Sequence, residues 1–266
     1  MTNRRDFLWQ SGGGLGGIAL ASMMGKEAQF PPKAKRVVQL FMSGAASHLD
    51  LFDFKPELIK RHGEKSDFGE HVEAFQNGLG PWKKPVWEFS PHGQSGKMLG
   101  ETVAPLGEVV DDIAFIHNLT GKTGVHSQAT YLQATGFDRP GFPGMGSWVS
   151  YGLGSMNDNL PTFVVLPDHR GFASNGPKNW SSAFLPAVNQ GTIIRPGTKE
   201  PITHLNPPES AAYLTPQAET DAGRLLAKLN GEHFAQRASD SRLDARIKSY
   251  ELAARMQLAA PEALDI

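Results

Sequence analysis

The feature that most constrains the fold is a short apolar run at residues 36–42, which ends in Ser43 and Gly44. A run of this length bounded by turn residues is typical of a strand that is buried on both faces of a parallel sheet. Two later runs have the same character, and helical patterns lie between and after them. The predicted strands are 36–42, 112–117 and 160–166, and the predicted helices are 102–110, 127–134 and 215–260. Strands that alternate with helices predict an α/β fold, with a mostly parallel sheet flanked by helices.

The other segments are predicted from their turn residues. Residues 57–100 and 168–215 carry many Gly and Pro residues and are expected to be irregular. Within 215–260 we expect Gly231 to separate two helices. The second of these helices carries an apolar stripe that we expect to be buried, formed by Leu243, Ile247, Tyr250 and Ala254. Because sheets usually have ~4–6 strands, the predicted strands indicate an incomplete domain.

The N-terminus carries an export pattern. Arg4 and Arg5 precede a Gly-rich, weakly apolar stretch from Ser11 to Met24. A positive start, a short apolar region and small residues are typical of a signal peptide, and the paired arginines indicate the twin-arginine route. We therefore predict a signal peptide at 1–30 and a folded domain at 31–266, in the periplasm or at the cell surface. The expected partner is the twin-arginine export machinery, and no transmembrane segment is expected beyond the signal. The alternative is a chance arginine pair before a buried helix.

The composition excludes two classes of site. Lys and Arg number 26 against 27 Asp and Glu, which gives a net charge of -1, so no basic field indicates binding to nucleic acid. The chain has no cysteine, which excludes disulfides, a thiolate nucleophile and thiolate metal ligands.

The first group of candidate site residues directly follows the first predicted strand. In open α/β sheets, ligands bind beyond the carboxyl ends of the strands. His48, Asp50 and Asp53 supply nitrogen and oxygen donors there, which suit a divalent metal such as Zn, Mg, Mn or Ca. The alternative is a capped turn, in which Asp50 bonds backbone N–H groups and Asp53 starts a helix.

The second group follows the second predicted strand and leads into a short helix. Thr123 would bind an oxyanion at the positive helix start, and Ser127 or Thr123 could be the nucleophile, with His126 as base or ligand. The alternative is that Ser127 or Thr123 only caps the helix.

Several other residues are weaker candidates. Arg170 follows the third predicted strand and could hold an anion with both arms of its guanidinium, although a solvated loop is the simpler interpretation. Lys97, His117 and His204 are weaker still. The tryptophans are expected to pack in loops and core rather than to form a sugar platform, and they include Trp82, Trp87, Trp148 and Trp180.

Several runs of residues together resemble a known family. These runs are Gly44–Pro56, His126–Gly136, Met145–Ser155, Leu160–Leu166, Asn179–Ser182 and Tyr250–Gln257. In these runs the chain is similar to the bacterial domain-of-unknown-function family 1501, in which twin-arginine signals are common. That family is grouped with the alkaline phosphatase and sulfatase superfamily.

This resemblance implies a central sheet with metal ligands at its carboxyl edge, and hydrolysis of small sulfate or phosphate esters. Asp50 or Asp53 would take the place of the first metal aspartate. The segment that ends in Thr135 resembles the sulfatase nucleophile helix, which puts His126 where a sulfatase has Cys or Ser; Ser127 is one position away. Family members usually continue into a half with further Asp and His ligands, so the resemblance also implies truncation at the C-terminus.

The sequence leaves three functions open. The first is an exported, metal-dependent hydrolase of sulfate or phosphate esters. The second is a non-catalytic exported protein that binds a carbohydrate or a partner. The third is an inactive gene fragment.

Overall fold

The structure is a computed structural model, and it describes residues 33–264 except 45, 70–71, 73–77, 204, 206–208, 212, 214 and 238–240. The predicted signal peptide and the weak candidate His204 lie outside the described residues. In the part of the chain that is described, no helix is both long enough and apolar enough to cross a membrane.

The described residues form a mixture of helices and two small sheets. The α-helices are α1 (His48–Leu51), α2 (Pro56–Lys60), α3 (His126–Thr135), α4 (Met145–Leu153), α5 (Pro216–Ala235) and α6 (Ser241–Leu264). The strands are β1 (Phe89–His92), β2 (Lys97–Gly100), β3 (Val164–Val165) and β4 (Thr192–Ile193). Short 3₁₀ helices cover Glu101–Glu108, Val110–Asp112, Gly176–Trp180, Ala187–Asn189 and Glu209–Ala211. The chain divides into two compact units, one formed by residues 44–120 and the other by the segments on either side of it.

The unit of residues 44–120 is built on the β1–β2 hairpin. The strands are antiparallel, with Phe89 opposite Gly100 and His92 opposite Lys97. The 3₁₀ helix Glu101–Glu108 contacts both strands, and the core contains Leu99 and Val110, which are 0% and 2% exposed.

A carboxylate fastens the turn of this hairpin. Asp111 accepts hydrogen bonds from the backbone N–H groups of Gln94 (2.7 Å) and Ser95 (3.0 Å). The Ser95 side chain also bonds to Asp111 and has the largest effect on its pKa. Together with the two backbone bonds, it holds the pKa of Asp111 below its ordinary value. Gly93 at the start of the turn has a φ of +64° and lies against the side chains of Val110 and Asp111.

The second unit contains residues 33–43 and the described residues after 120. Here α3 ends at Gly136, whose φ of 85° lies in the left-handed region, so the predicted stop of this helix is confirmed. The side chain of Ser150 on α4 donates to Asn189 Oδ1 at 2.8 Å. Helix α6 contacts the 3₁₀ helix that contains Asn189, and its buried residues include Met256 and Ala260, one turn apart.

The first two predicted strands are not strands in the structure. Residues 36–42 form no ladder, and Val38 and Leu40 are 81% and 88% exposed. The second prediction, 112–117, overlaps the end of a 3₁₀ helix and then continues without a partner strand. The apolar pattern identified segments suited to burial, but a strand also needs a neighbour to bond with. The third prediction, 160–166, is confirmed only at Val164–Val165, which pair in parallel with β4.

The fold class is thus confirmed only as a mixture of helix and sheet. In the C-terminal region Gly231 lies inside α5, and the interruption comes between Ala235 and Ser241 instead. The predicted stripe on α6 is also wrong in part, because Tyr250 is 67% exposed. Residues 57–100, predicted to be irregular, contain the hairpin.

The hairpin turn provides a first prediction. A Cβ at Gly93 would lie 2.5 Å from Val110 Cγ1, whereas a Cβ at Gly96, whose φ is +66°, would meet nothing within 4 Å. We expect Gly96→Ala to cost ~1–2 kcal/mol of folding free energy for its left-handed backbone alone. Gly93→Ala adds overpacking and should cost ~1–3 kcal/mol more. Urea unfolding of the two matched variants measures the difference, and equal losses would contradict the packing of this turn.

Candidate functional site

A buried carboxylate is the centre of the most promising site. Asp53 is 8% exposed and lies two residues after the last residue of α1. Its backbone N–H donates to the carbonyl of His48, the first residue of that helix, at 2.9 Å. Lys55 Nζ lies 2.9 Å from Asp53 Oδ2, and His117 Nδ1 lies 3.7 Å from Oδ1. Each carboxylate oxygen therefore has its own cationic or imidazole partner.

The imidazole has a second partner on its other side. Lys97, the first residue of β2, places Nζ 2.6 Å from His117 Nε2. The same Nζ lies 4.2 Å from the centre of the Phe115 ring. That ring stacks on the His117 imidazole, with centroids 5.9 Å apart and planes 4° apart. We name Asp53, Lys55, Lys97 and His117 the Asp53 cluster.

The hydrogen-bonding chemistry assigns the proton on His117. An ammonium group can only donate, so Nε2 of His117 accepts from Lys97 and the ring proton stands on Nδ1, which faces Asp53. Asp53 Oδ1 lies 3.7 Å from Nδ1, beyond hydrogen-bond distance, so the carboxylate acts on the ring through its charge.

Burial changes the electrostatics of Lys97. Desolvation lowers the pKa of the Lys97 amine from its ordinary value, and the charge of Asp53 counteracts part of that shift. The aromatic face of Phe115 adds a cation–π contact that favours the charged amine. Lys97 is therefore an ammonium group that has lost part of its water but kept a negative charge nearby.

The cluster opens to solvent on one side. The Asp53 side chain is 11% exposed, whereas those of His117 and Lys55 are 38% and 48% exposed. A small molecule that approaches from solvent meets the imidazole and an ammonium group before the carboxylate. Two ammonium groups and one carboxylate give a net positive charge, which suits an anionic ligand.

The sequence makes two members of this cluster only weak candidates for a functional site. Lys97 and His117 lie far from Asp53 along the chain, and neither stands in a motif. The hairpin brings Lys97 to the cluster, and the segment after the 3₁₀ helix Val110–Asp112 brings His117. The antiparallel hairpin was not predicted, so the sequence offered no signal that these residues meet.

The predicted metal ligands do not meet in the same way. His48 is exposed. Asp50 uses one carboxylate oxygen to accept from the Ser47 hydroxyl (2.7 Å) and the other to accept from the backbone N–H of Val86 (2.6 Å). These two bonds hold the pKa of Asp50 below its ordinary value, the Ser47 bond more strongly. Asp50 thus has the structural role that the alternative gave it.

The donors in the described part of the chain do not fit a metal ion. No group of three or more His, Asp or Glu side chains there is arranged to hold one, and Lys55 occupies one side of Asp53. A metal at His48, Asp50 and Asp53 stays a prediction from the sequence.

The second predicted group lies in the other unit, at the start of α3. His126 and Ser127 are both exposed. The capping alternative is wrong, because the N-cap is Val125 and no side chain caps the helix. Thr123 instead accepts from the Val125 N–H at 3.1 Å and donates to the Gln128 side chain at 2.9 Å. The roles of all three residues stay predictions.

Arg170 is already engaged within its own loop. Its Nε and one terminal nitrogen donate to the two oxygens of Asp168 at 2.9 and 2.8 Å. These bonds hold the pKa of Asp168 far below its ordinary value. An anion at Arg170 would have to displace this carboxylate.

Comparison with known proteins gives a single result. The sequence profile of a family described as "Protein of unknown function (DUF1501)" matches residues 34–266. No curated protein and no solved structure matches the chain.

The cluster predicts how Lys97 responds to loss of its carboxylate. In Asp53→Asn the amine loses the charge that offsets desolvation, so the pKa of Lys97 should fall further. We expect faster acylation of Lys97 by acetic anhydride at mildly alkaline pH, measured by peptide mass spectrometry over a pH series. Lys60, which pairs with Glu57, is the internal reference and should be labelled equally in both proteins. A midpoint for Lys97 labelling that rises, or does not move, would contradict the described geometry.

Proposed function

The chain belongs to the DUF1501 family, and from that premise we propose that it is an exported hydrolase of sulfate or phosphate esters whose centre is the Asp53 cluster. The observation that carries the proposal is the row of contacts from Asp53 through His117 to Lys97, at 3.7 and 2.6 Å. Such a row supplies a base, a group that orients it and a cation for a substrate oxyanion.

The charge of the cluster favours an anionic ester. Lys55 pairs with the Asp53 carboxylate and Lys97 contacts His117, so two ammonium groups stand against one carboxylate in the cluster. The equatorial oxygens of a sulfate or phosphate ester carry charge that ammonium groups stabilise, more so where water is partly excluded. A neutral carbohydrate offers no such charge.

The chemical step assigns one role each to Lys97, His117 and Asp53. The Lys97 ammonium group pairs with the substrate oxyanion instead of donating to His117, which leaves His117 Nε2 without a hydrogen-bond donor. Nε2 then accepts a proton from water as the water oxygen attacks phosphorus or sulfur and the ester bond breaks. The resulting imidazolium is stabilised by Asp53, and it returns the proton to the leaving alkoxide, so that Nε2 ends the cycle unprotonated.

The proposal includes no step through a metal ion, because the described donors do not fit one. The divalent metal inferred from sequence would need ligands besides Asp53, whose oxygens already face Lys55 and His117. Within the superfamily resemblance, Asp53 is the better counterpart of the first metal aspartate, since both oxygens of Asp50 accept hydrogen bonds. The alkaline phosphatase-like sheet is likewise a proposal, and the exposed run at 37–42 supports the view that the sheet is incomplete in this chain.

A carbohydrate-binding function has less support. Trp148 is 5% exposed, Trp82 lies tilted against Phe68 with ring centroids 4.6 Å apart, and Trp180 lies edge-on to Phe172 at 5.8 Å. These three rings pack within the protein, as the sequence predicts, whereas Trp87 is 45% exposed, so the prediction fails there. One exposed ring does not form an extended platform for a sugar.

Hydrolysis of para-nitrophenyl phosphate and para-nitrophenyl sulfate tests the proposal. We expect His117→Asn and Lys97→Met each to lower kcat/KM by ~10²–10⁴-fold, because the first removes the base and the second the oxyanion partner. Asp53→Asn should fall in the same range and shift the pH profile. Ser127→Ala is the matched control and should keep full activity. If Ser127→Ala alone abolishes hydrolysis, or if the cluster variants remain active, the Asp53 cluster is not the catalytic centre.

Export is tested separately from catalysis. The paired arginines lie outside the described residues, so their role is proposed from sequence alone. We expect the double variant Arg4→Lys/Arg5→Lys to keep the protein in the cytosol of a bacterium that has the twin-arginine pathway, as measured by cell fractionation. Arg36→Lys, which lies beyond the signal, should leave export unchanged. Export of the double variant at the normal level would contradict a twin-arginine signal.

A further inference from the structure

Helix α5 exposes an apolar face that its own unit does not cover. Leu225, Leu226 and Leu229 are 59%, 53% and 52% exposed. The helix has 20 residues and contacts α6. The side chains on it that are partly buried are Thr220, Asn230 and Phe234. At about 100° of rotation per residue, these three share one side of the helix.

The opposite side carries a regular stripe. Ala218, Ala222, Leu225 and Leu229 are spaced four, three and four residues apart, and all four are exposed. This is the spacing of the contact seam between two packed helices, in which small and large residues interdigitate. The small residues lie in the first half of the stripe and the leucines in the second half.

We propose that a second copy of this chain docks on this stripe, with the two α5 helices antiparallel. In that arrangement Ala218 lies against the partner's Leu229, and Ala222 lies against the partner's Leu225. The two-fold axis repeats both contacts, so every leucine meets an alanine. A parallel arrangement would place leucine against leucine and alanine against alanine, which leaves gaps beside the alanines.

The charged residues beside the stripe also favour the antiparallel arrangement of the two helices. Asp221 and Lys228 lie on one flank of the stripe, and both are exposed. In the antiparallel pair Asp221 lies near the partner's Lys228, and the axis generates a second such pair. In a parallel pair the two-fold axis would put this flank on opposite sides of the seam, so Asp221 would not meet Lys228. In the single chain Asp221 bonds Gln217 and Arg224 on its own helix, which are exposed contacts that are exchanged at low cost.

The size of the surface sets the expected strength. A 20-residue helix is about 30 Å long, and two such helices bury less area than the ~1,200–2,000 Å² of a standard interface. We therefore expect a dimer that dissociates on dilution rather than a permanent assembly.

Sedimentation equilibrium of the full chain over a range of concentrations tests the dimer. The unmodified chain should pass from monomer to dimer as concentration rises, and Leu225→Glu/Leu229→Glu should remain monomeric throughout. Leu166→Glu is the matched control, because Leu166 is 65% exposed but lies outside α5; it should dimerise as the unmodified chain does. Circular dichroism of each variant confirms that the helices are retained.

Exchange of the charges tests the direction. Asp221→Lys and Lys228→Asp should each raise the dissociation constant by about tenfold, since each replaces two exposed attractive pairs with two repulsive ones. The double variant, and an equal mixture of the two single variants, should restore dimerisation. A chain that stays monomeric at every concentration, or a dimer that neither the leucine nor the charge variants weaken, overturns the proposal.

Discussion

The cost of burying the Asp53 carboxylate governs the arrangement of residues 44–120. A charged group taken out of water is strongly destabilising unless it is paired and hydrogen-bonded. Asp53 is 8% exposed, and its partners come from separate places in the chain: Lys55 directly after it, and His117 beyond the hairpin, with Lys97 in turn against His117. The turn after α1 and the segment after Asp112 must therefore come together for the carboxylate to be satisfied, and β2 brings Lys97 to the other side of His117.

The same requirement prepares the cluster for chemistry. A carboxylate that fixes one side of an imidazole leaves the opposite nitrogen basic, and a lysine with a partly desolvated amine binds an anion more strongly than one in bulk water. Neither property needs an extra residue, because both follow from the contacts that compensate for burial. Asp50 shows the contrast: its oxygens are used to join Ser47 to the segment at Val86, so its charge serves the loop alone.

Local signals in the sequence predict some local features and fail for others, since Gly231 does not divide α5. Gly136 ends α3 because its left-handed backbone suits glycine, and this could be read from the sequence. Whether residues 36–42 form a strand cannot be decided from local signals. Apolarity shows that a segment suits burial, but not that a neighbouring strand exists to pair with it. Of the Asp53 cluster, the sequence offers Asp53 as a leading candidate and Lys97 and His117 only as weak ones. The meeting of Lys97 with His117 depends on a hairpin whose strands, Phe89–His92 and Lys97–Gly100, lie in a stretch rich in Gly and Pro that gave no alternating pattern.

The exposed apolar residues pose two separate requirements. The stripe on α5 occupies one side of a helix, so a single partner helix is enough to cover it. The run at 37–42, by contrast, forms no strand, and Val37, Val38, Leu40 and Phe41 are 66%, 81%, 88% and 41% exposed. In a strand, successive residues of this run would face opposite sides. A strand that is apolar on both faces needs packing above and below as well as hydrogen bonds at its edges. A second copy that docks through α5 satisfies the first requirement and leaves the second unmet, so the two surfaces are independent features of this chain.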